Sequence, residues 1–155
     1  MRNTIIYVLF VAMILFSGWS CIAKTPKAIE TFHSDYSFDE TVNRLQNALE
    51  TENIRIFSII NHAEEALKAD LELRPTTVFI VGNPKAGTVL MQENQQFAIE
   101  LPLKILIIEN EYGEVFVSYK KTTFLASDYN LKKITGSTRN IDNTMTKVIA
   151  NAISN

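Results

Sequence analysis

The apolar run near the N-terminus is the feature that most constrains this chain. Residues 5–16 read IIYVLFVAMILF, follow one positive charge at Arg2 and are followed by the small residues Ser17, Gly18 and Ser20. The run is shorter than the ~20 residues that a membrane-spanning helix needs, and it lacks the amphipathic period of a core helix. This pattern is typical of an export signal. We therefore expect residues 1–23 to be a signal segment, residues 24–27 a tether and residues 28–155 one domain.

Cys21 leaves the route of export open. It is the only cysteine of the chain, so no intramolecular disulfide can form, and it lies where a bacterial lipoprotein signal places the lipidated cysteine. One interpretation is lipidation of Cys21, and a second is cleavage after Ala23 with soluble secretion. A third interpretation keeps the segment as an uncleaved anchor. All three predict an exported protein of the cell envelope, either periplasmic, tethered to the membrane through a lipid or the N-terminal segment, or secreted.

The charge balance of the remaining chain bears on its partners. Arg2 is the only charged residue of the first 23, so the rest carries 14 basic and 17 acidic residues. Its length of about 130 residues suits one domain. A slightly negative chain without a basic stripe offers no surface for a nucleic-acid backbone, and we expect no nucleic-acid partner.

The hydrophobic periodicity predicts an α+β fold of the order β-α-β(4)-α. Ser37 and Glu40 form a capping box, and the helix after them carries an apolar stripe. A second long helix is expected over residues 139–153, with a loop at 135–138. Strands are expected from near residue 28, at 54–60 and 76–81, and in a hairpin of 103–108 with 114–119. Residues 97–101 are expected to form one strand with residues 103–108, bent at Pro102. Two long helices on a largely antiparallel sheet define this class. Short helices are expected after strands two and three: one at 62–69, with Ala63, Ala66 and Leu67 facing inward, and 85–94 as a helix or an irregular loop.

The segment VGNPKAGT at 81–88 follows a predicted strand and is the first candidate site. Gly82 and Gly87 are spaced as in a phosphate-binding P-loop, but Thr88 stands where that motif needs lysine, and Pro84 removes one backbone N–H. The glycines can equally serve a tight turn. The site that stays open is a nest for a small polar or anionic ligand, with Gly82, Asn83, Lys85 and Gly87 as the binding residues.

His62 is the second candidate. Glu65 lies three residues later and shares its face if the segment is helical, so the pair could act as a base with its orienting carboxylate. Tyr119, at the end of the hairpin, could add a hydroxyl. The alternative for His62 is a capping or interior histidine. Since His33 is the only other histidine, we expect no metal site, and no motif indicates a cofactor.

Several motifs together resemble a known family. They are His62, RPT at 74–76, GNPKAG at 82–87, LPL at 101–103 and VSY at 117–119. The chain resembles the family called domain of unknown function 302 over about residues 29–153. The resemblance implies a TATA-binding-protein-like arrangement, and it implies that His62, residues 82–87 and Tyr119 share one cleft. Tyr129 departs from the family, which usually has a histidine after the segment FLA at 124–126.

Three hypotheses for function follow. The first is an exported binding or accessory module that holds a small polar or anionic ligand beside His62 and residues 82–87. The second is an enzyme that uses His62 as a general acid or base, assisted by Glu65 or Tyr119. The third is a structural domain that acts through a partner or as a homodimer.

Overall fold

The computed structural model describes residues 28–131 and 135–154. The signal segment, the tether and the lipidation of Cys21 fall on residues 1–27 and lie outside the described residues.

The described strands form one antiparallel sheet of five strands in the order β1-β5-β4-β3-β2. Strands that follow one another from β2 to β5 pair as neighbours, and β1 joins the sheet beside β5. The strands are β1 (Ile29–Ser34), β2 (Arg55–Asn61), β3 (Thr76–Gly82), β4 (Leu103–Glu109) and β5 (Val115–Lys120).

Two long helices and three short ones connect or follow these strands. The long helices are α1 (Phe38–Thr51) and α5 (Thr135–Ile153), and the short ones are α2 (His62–Lys68), α3 (Pro84–Glu93) and α4 (Thr122–Leu125). There are also two 3-10 helices: Gln95–Glu100 precedes β4, and Ala126–Tyr129 follows α4. The α+β class and the order β-α-β(4)-α predicted from the sequence are confirmed.

The core lies between the sheet and the two long helices. Helices α1 and α5 pack on each other and on the sheet, and both contribute fully buried leucine, valine or isoleucine side chains. The strands alternate accordingly: Phe79 and Ile105 are inaccessible, whereas their chain neighbours are partly or largely exposed. In β1, Phe32 faces the core while Thr31 and His33 face the other way, as the alternation of a strand requires.

The local start signals act as expected in α1. The Ser37 hydroxyl accepts a hydrogen bond from the backbone N–H of Glu40 at 3.4 Å. In the apolar stripe that follows, Leu45 and Leu49 are buried in the core, and Phe38 and Val42 pack at the margin of the core.

Three expectations about elements were wrong. Residues 97–101 are not a strand: Gln95–Glu100 is a 3-10 helix, because the Asn94 side chain caps it and Phe97 is buried against the ring of Tyr129. Helix α5 begins at Thr135 rather than 139, so the expected loop at 135–138 is helical. Leu67 of α2, expected to face inward, is 72% exposed.

No helix within the two described ranges is long and apolar enough to cross a membrane.

Candidate functional site

A cavity of about 630 Å³ opens at the end of the sheet where β3 ends and β4 begins. Its volume lies within the usual range of ligand pockets, about 300–1,000 Å³. Its walls come from the start of β2, from α3, from the segment leading into β4 and from α5. The lining is mostly apolar and consists of Glu52, Ile54, Phe57, Gly82, Asn83, Pro84, Ala86, Gly87, Thr88, Val89, Met91, Ala98, Leu101, Pro102, Leu103, Ser137, Asn140, Ile141, Thr144 and Met145.

The two glycines of the segment 82–87 allow the walls to approach closely. A Cβ atom at Gly82 would lie 3.4 Å from the ring of Phe57, and one at Gly87 would lie 3.3 Å from a methyl carbon of Leu101. Gly87 also brings α3 against the segment before β4. The sequence predicted a candidate site at this segment, and the structure makes it one wall of the cavity.

The segment itself is a helix start rather than an open loop. The Asn83 side chain accepts hydrogen bonds from the backbone N–H groups of Lys85 and Ala86, at 2.9 and 3.4 Å. The N–H of Gly87 donates to the Asn83 carbonyl. Because the chain itself already bonds these three donors, they are not free to bind a small anion.

Helix α5 supplies the polar side chains on the opposite wall. Ser137 and Asn140 are three residues apart and so share one face of the helix. Neither side chain makes a hydrogen bond to another described residue. No lysine or arginine lines the cavity, and its one carboxylate, Glu52, lies 2.7 Å from the Lys147 ammonium. A ligand here would meet apolar walls and a few neutral hydrogen-bonding groups.

His62 lies far from this cavity. It is the first residue of α2, directly after β2, and its side chain is exposed. Asn61, the residue before His62, pairs with Thr77 near the start of β3, whereas Gly82 is the last residue of β3 and pairs with Arg55. His62 and Gly82 therefore lie near opposite ends of this strand pair, about 20 Å apart at the usual rise of a strand. Glu65 does not orient His62, since its carboxylate accepts a hydrogen bond from Lys68 at 2.7 Å.

Tyr119 also lies outside the cavity, in the core. Its side chain is 3% exposed, and its hydroxyl donates to the Glu30 carboxylate at 3.1 Å. Thr146 of α5 lies 3.3 Å from the same hydroxyl. Burial raises the pKa of Tyr119 above its ordinary value. The structure therefore does not bring His62, residues 82–87 and Tyr119 into one cleft, and Tyr119 connects the sheet to α5.

A second, polar cavity of about 490 Å³ lies beside this connection and includes Glu30, Lys121 and Asp142. The Lys121 ammonium is 3.3 Å from the Glu30 carboxylate. Asp142 is 8% exposed, and its carboxylate accepts hydrogen bonds from the backbone N–H groups of Thr122 and Thr123. Each charged side chain that lines this second cavity thus has a partner among the described residues, except Arg139, for which none is found there. No sequence pattern indicated this cluster, because its members are far apart in the chain.

Tyr129, the departure from the family pattern, has a structural role. Its hydroxyl donates to the Glu100 carboxylate at 3.0 Å, and this hydrogen bond raises its pKa. Its ring meets Phe97 edge-on at 5.2 Å. Tyr129 therefore fixes the 3-10 helix that borders the cavity. Among the described residues, no group of three or more histidine, cysteine, aspartate or glutamate side chains could hold a metal ion.

Fold and cavity define an α+β protein with a helix-covered sheet and an apolar cavity at one sheet end. The family described as "Domain of unknown function DUF302" matches residues 30–152, and the chain belongs to this family. A crystal structure of an uncharacterised conserved DUF302 protein from Bacillus stearothermophilus superposes with a TM-score of 0.76 at 19% identity. The match covers 82% of this chain and 99% of that one. At this identity the likeness shows the fold alone.

Curated proteins with similar sequences are named as fluoride-specific ion channels. The chain is 33% identical over 101 residues to "Fluoride-specific ion channel FluC 1" of Brucella suis biovar 1 (strain 1330), a match that covers 65% of this chain and 40% of that protein. The protein of the same name from Brucella abortus biovar 1 (strain 9-941) is also 33% identical, over 37% of its length. The chain thus spans about two fifths of the curated relatives that it matches.

Proposed function

We propose that this DUF302 domain is a binding module for a small, neutral and mainly apolar ligand. The observation that carries the proposal is the cavity of about 630 Å³ at the Gly82 end of the sheet. Its size suits a ligand of ordinary small-molecule dimensions. The apolar walls would supply most of the binding free energy through burial, and Ser137 and Asn140 would fix the orientation of one polar group.

This proposal changes the ligand class expected from the sequence. An anionic ligand is usually held by a cation or by free backbone donors. The cavity lining contains no lysine or arginine, and the Asn83 side chain already bonds the N–H groups of Lys85 and Ala86. The enzyme hypothesis has less support, because His62, Glu65 and Tyr119 are not assembled around a common space.

Binding of the neutral fluorescent probe N-phenyl-1-naphthylamine tests the proposal. The purified protein should bind the probe at one site, and Asn140→Trp should weaken binding at least tenfold by filling the mouth of the cavity. Asn140 is exposed, so this substitution spares the core. Asn151→Trp is the matched control, at an exposed position of the same helix outside the cavity, and it should bind like the wild type. Equal binding by Asn140→Trp and wild type would place the probe elsewhere and refute the proposal.

The names of the curated relatives favour a second candidate, in which the domain is an accessory unit of a fluoride-handling system. The basis is the 33% identity to proteins named as fluoride-specific ion channels, over about two fifths of their length. Growth in graded sodium fluoride distinguishes this candidate. Deleting the gene should increase sensitivity, and the full chain should restore resistance, whereas unchanged growth would exclude the role.

A further inference from the structure

The face of the sheet turned away from α1 and α5 carries a continuous apolar surface. The register places Val78 beside Leu106 and Ile108 beside Phe116, with Ile80 next along β3. All five side chains are partly exposed, whereas their chain neighbours in the strands face the core. We call this surface the open face. An exposed apolar patch of this kind on a sheet usually marks an interaction site.

One end of the open face is basic. Arg55 pairs with Gly82, at the end of β3 that borders the cavity. Lys104 and Lys120 lie one residue beyond the Ile105–Tyr119 pair and are therefore neighbours on adjacent strands. Like charges in this arrangement repel. Arg55 and Lys120 each lie over an aromatic ring, at 5.0 Å from Phe57 and 5.7 Å from Phe124.

These three cations, which we call the basic end, make no ion pair with a described carboxylate. The strand positions that share the open face include no aspartate or glutamate, as their register and sequence show. A partner that covers the apolar surface must therefore bring carboxylates to the basic end, or three cations would be desolvated without compensation.

The chain itself carries a surface of the complementary kind. Residues 64–73, which we call the acidic segment, include three strongly exposed leucines: Leu67 at 72%, Leu71 at 64% and Leu73 at 49%. Glu64, Asp70 and Glu72 are exposed and form no ion pair with a described residue, and Glu65 bonds only its neighbour Lys68. The acidic segment thus offers apolar side chains and unpaired carboxylates together.

The two surfaces lie at opposite ends of the sheet. The acidic segment follows β2 at the Thr77 end of β3, and the basic end lies at Gly82. Two open faces can stack around a two-fold axis that lies between the sheets and runs perpendicular to the strands. This rotation exchanges the two ends of the sheet, so each acidic segment would face the partner's basic end. Such isologous contacts are the rule in homodimers.

The area is sufficient for a dimer. Five strands about 4.8 Å apart and about 20 Å long give a footprint of about 500 Å² per copy. Two copies reach the total of about 1,000 Å² expected of a biological interface, before the acidic segments are counted. We propose that the open face is the interface of a homodimer with a second copy of this chain, in which the acidic segment of each copy faces the basic end of the other.

Charge reversal with rescue, followed by light scattering on the full chain, tests this dimer. The wild type should be dimeric at micromolar concentration. Lys104→Glu with Lys120→Glu should weaken the dimer at least tenfold, and adding Glu64→Lys with Glu72→Lys should restore it. Lys85→Glu, at an exposed position of α3 outside the open face, is the control and should leave the dimer intact.

Each failure contradicts a separate part of the proposal. A wild type that is monomeric throughout, as expected if another protein or a membrane covers the open face, overturns it. A dimer that survives the double lysine reversal uses another surface and also overturns it. Disruption without rescue refutes the pairing with the acidic segment. Circular dichroism of every variant separates loss of the dimer from loss of the fold.

Discussion

The carboxylate of Asp142 lies 2.6 Å from the backbone nitrogen of Thr122 and accepts its hydrogen bond. This contact joins α5 to the first turn of α4, a helix whose own preceding residue provides no side-chain cap. The other carboxylate oxygen accepts from the N–H and the hydroxyl of Thr123, at 3.1 and 2.6 Å. Asp142 therefore caps a helix 20 residues before it in the chain, and the cap also holds α5 in place.

Replacing Asp142 by alanine should destabilise the protein markedly. Two buried or partly buried N–H groups and one hydroxyl would lose their acceptor, which costs about 1–3 kcal/mol in the free energy of unfolding. Asp142→Asn keeps one carbonyl oxygen and should lose less. Urea denaturation measures both, with Asn143→Ala, at the exposed neighbouring position, as control. A loss at Asn143 as large as that at Asp142 would argue against the cap.

Replacement by valine should change the stability of the protein in opposite directions at Thr122 and at Thr123. The Thr122 hydroxyl is buried without a hydrogen-bond partner among the described residues, so Thr122→Val removes a desolvated polar group and should stabilise by up to about 1 kcal/mol. Thr123→Val loses the 2.6 Å bond to Asp142 and should destabilise by about 1–2 kcal/mol. Thermal and urea unfolding of the two variants give the signs, and two equal signs would contradict this assignment.

Elements that depend on local signals were predictable from the sequence. The capping box at Ser37 and the apolar stripe ending in Leu49 define α1 without help from the rest of the chain. Alternation in β1 likewise places Phe32 on the face opposite to Thr31 and His33. These features succeed because each depends on residues within about two turns or one strand.

Elements that depend on distant contacts were not predictable. Phe97 sits in a short apolar stretch that fits either a strand or a helix, and its contact with Tyr129, far along the chain, decides for the 3-10 helix. Thr135 to Thr138 contain Gly136 and β-branched residues, which are poor helix formers. Packing overrides this preference, since Thr138 is buried and its hydroxyl bonds the Thr135 carbonyl.

The sequence pointed to only part of the cavity that the structure contains. The spacing of Gly82 and Gly87 located one wall of the cavity, because a strand followed by glycines can be seen in the sequence. Its opposite wall on α5, with Asn140 and Met145, depends on how the last helix lies on the sheet. The expected cleft with His62 and Tyr119 assumed that family motifs meet in space, which a linear sequence cannot show.

The phenol of Tyr119 predicts a loss of stability at alkaline pH. Burial raises its pKa in the folded state, whereas the unfolded chain titrates near the ordinary value of about 10. Below that pH the phenol is protonated in both the folded and the unfolded state, so it does not make the free energy of unfolding depend on pH. As the pH rises above about 10, only the unfolded state loses the proton, so the free energy of unfolding falls.

Tyr119→Phe should remove this alkaline component. At neutral pH it should cost about 1 kcal/mol, since the hydrogen bond to Glu30 is lost. Urea midpoints from neutral pH to above about pH 11 measure both effects, with Tyr112→Phe as the control, because Tyr112 is 79% exposed. An alkaline loss that persists in Tyr119→Phe would assign it to another group.

Gly87→Ala should stabilise the fold while it narrows the cavity. Gly87 lies inside α3, where alanine is favoured over glycine by about 1 kcal/mol. The new methyl group would lie 3.3 Å from a methyl carbon of Leu101. The Leu101 side chain is partly exposed and borders the cavity, so Leu101 has room to move by a few tenths of an ångström. Since Gly87 and Leu101 both line the cavity, the added methyl group takes up space at its wall, and binding of N-phenyl-1-naphthylamine should weaken as the thermal midpoint rises.

Gly136→Ala is the matched control for this substitution. A methyl group at Gly136 would meet no other described atom within 4 Å, and α5 gains the same helix preference without any change in the cavity. Its thermal midpoint should therefore rise while probe binding stays at the wild-type level. If Gly87→Ala also gained stability with unchanged probe binding, the contact with Leu101 would not limit the ligand space.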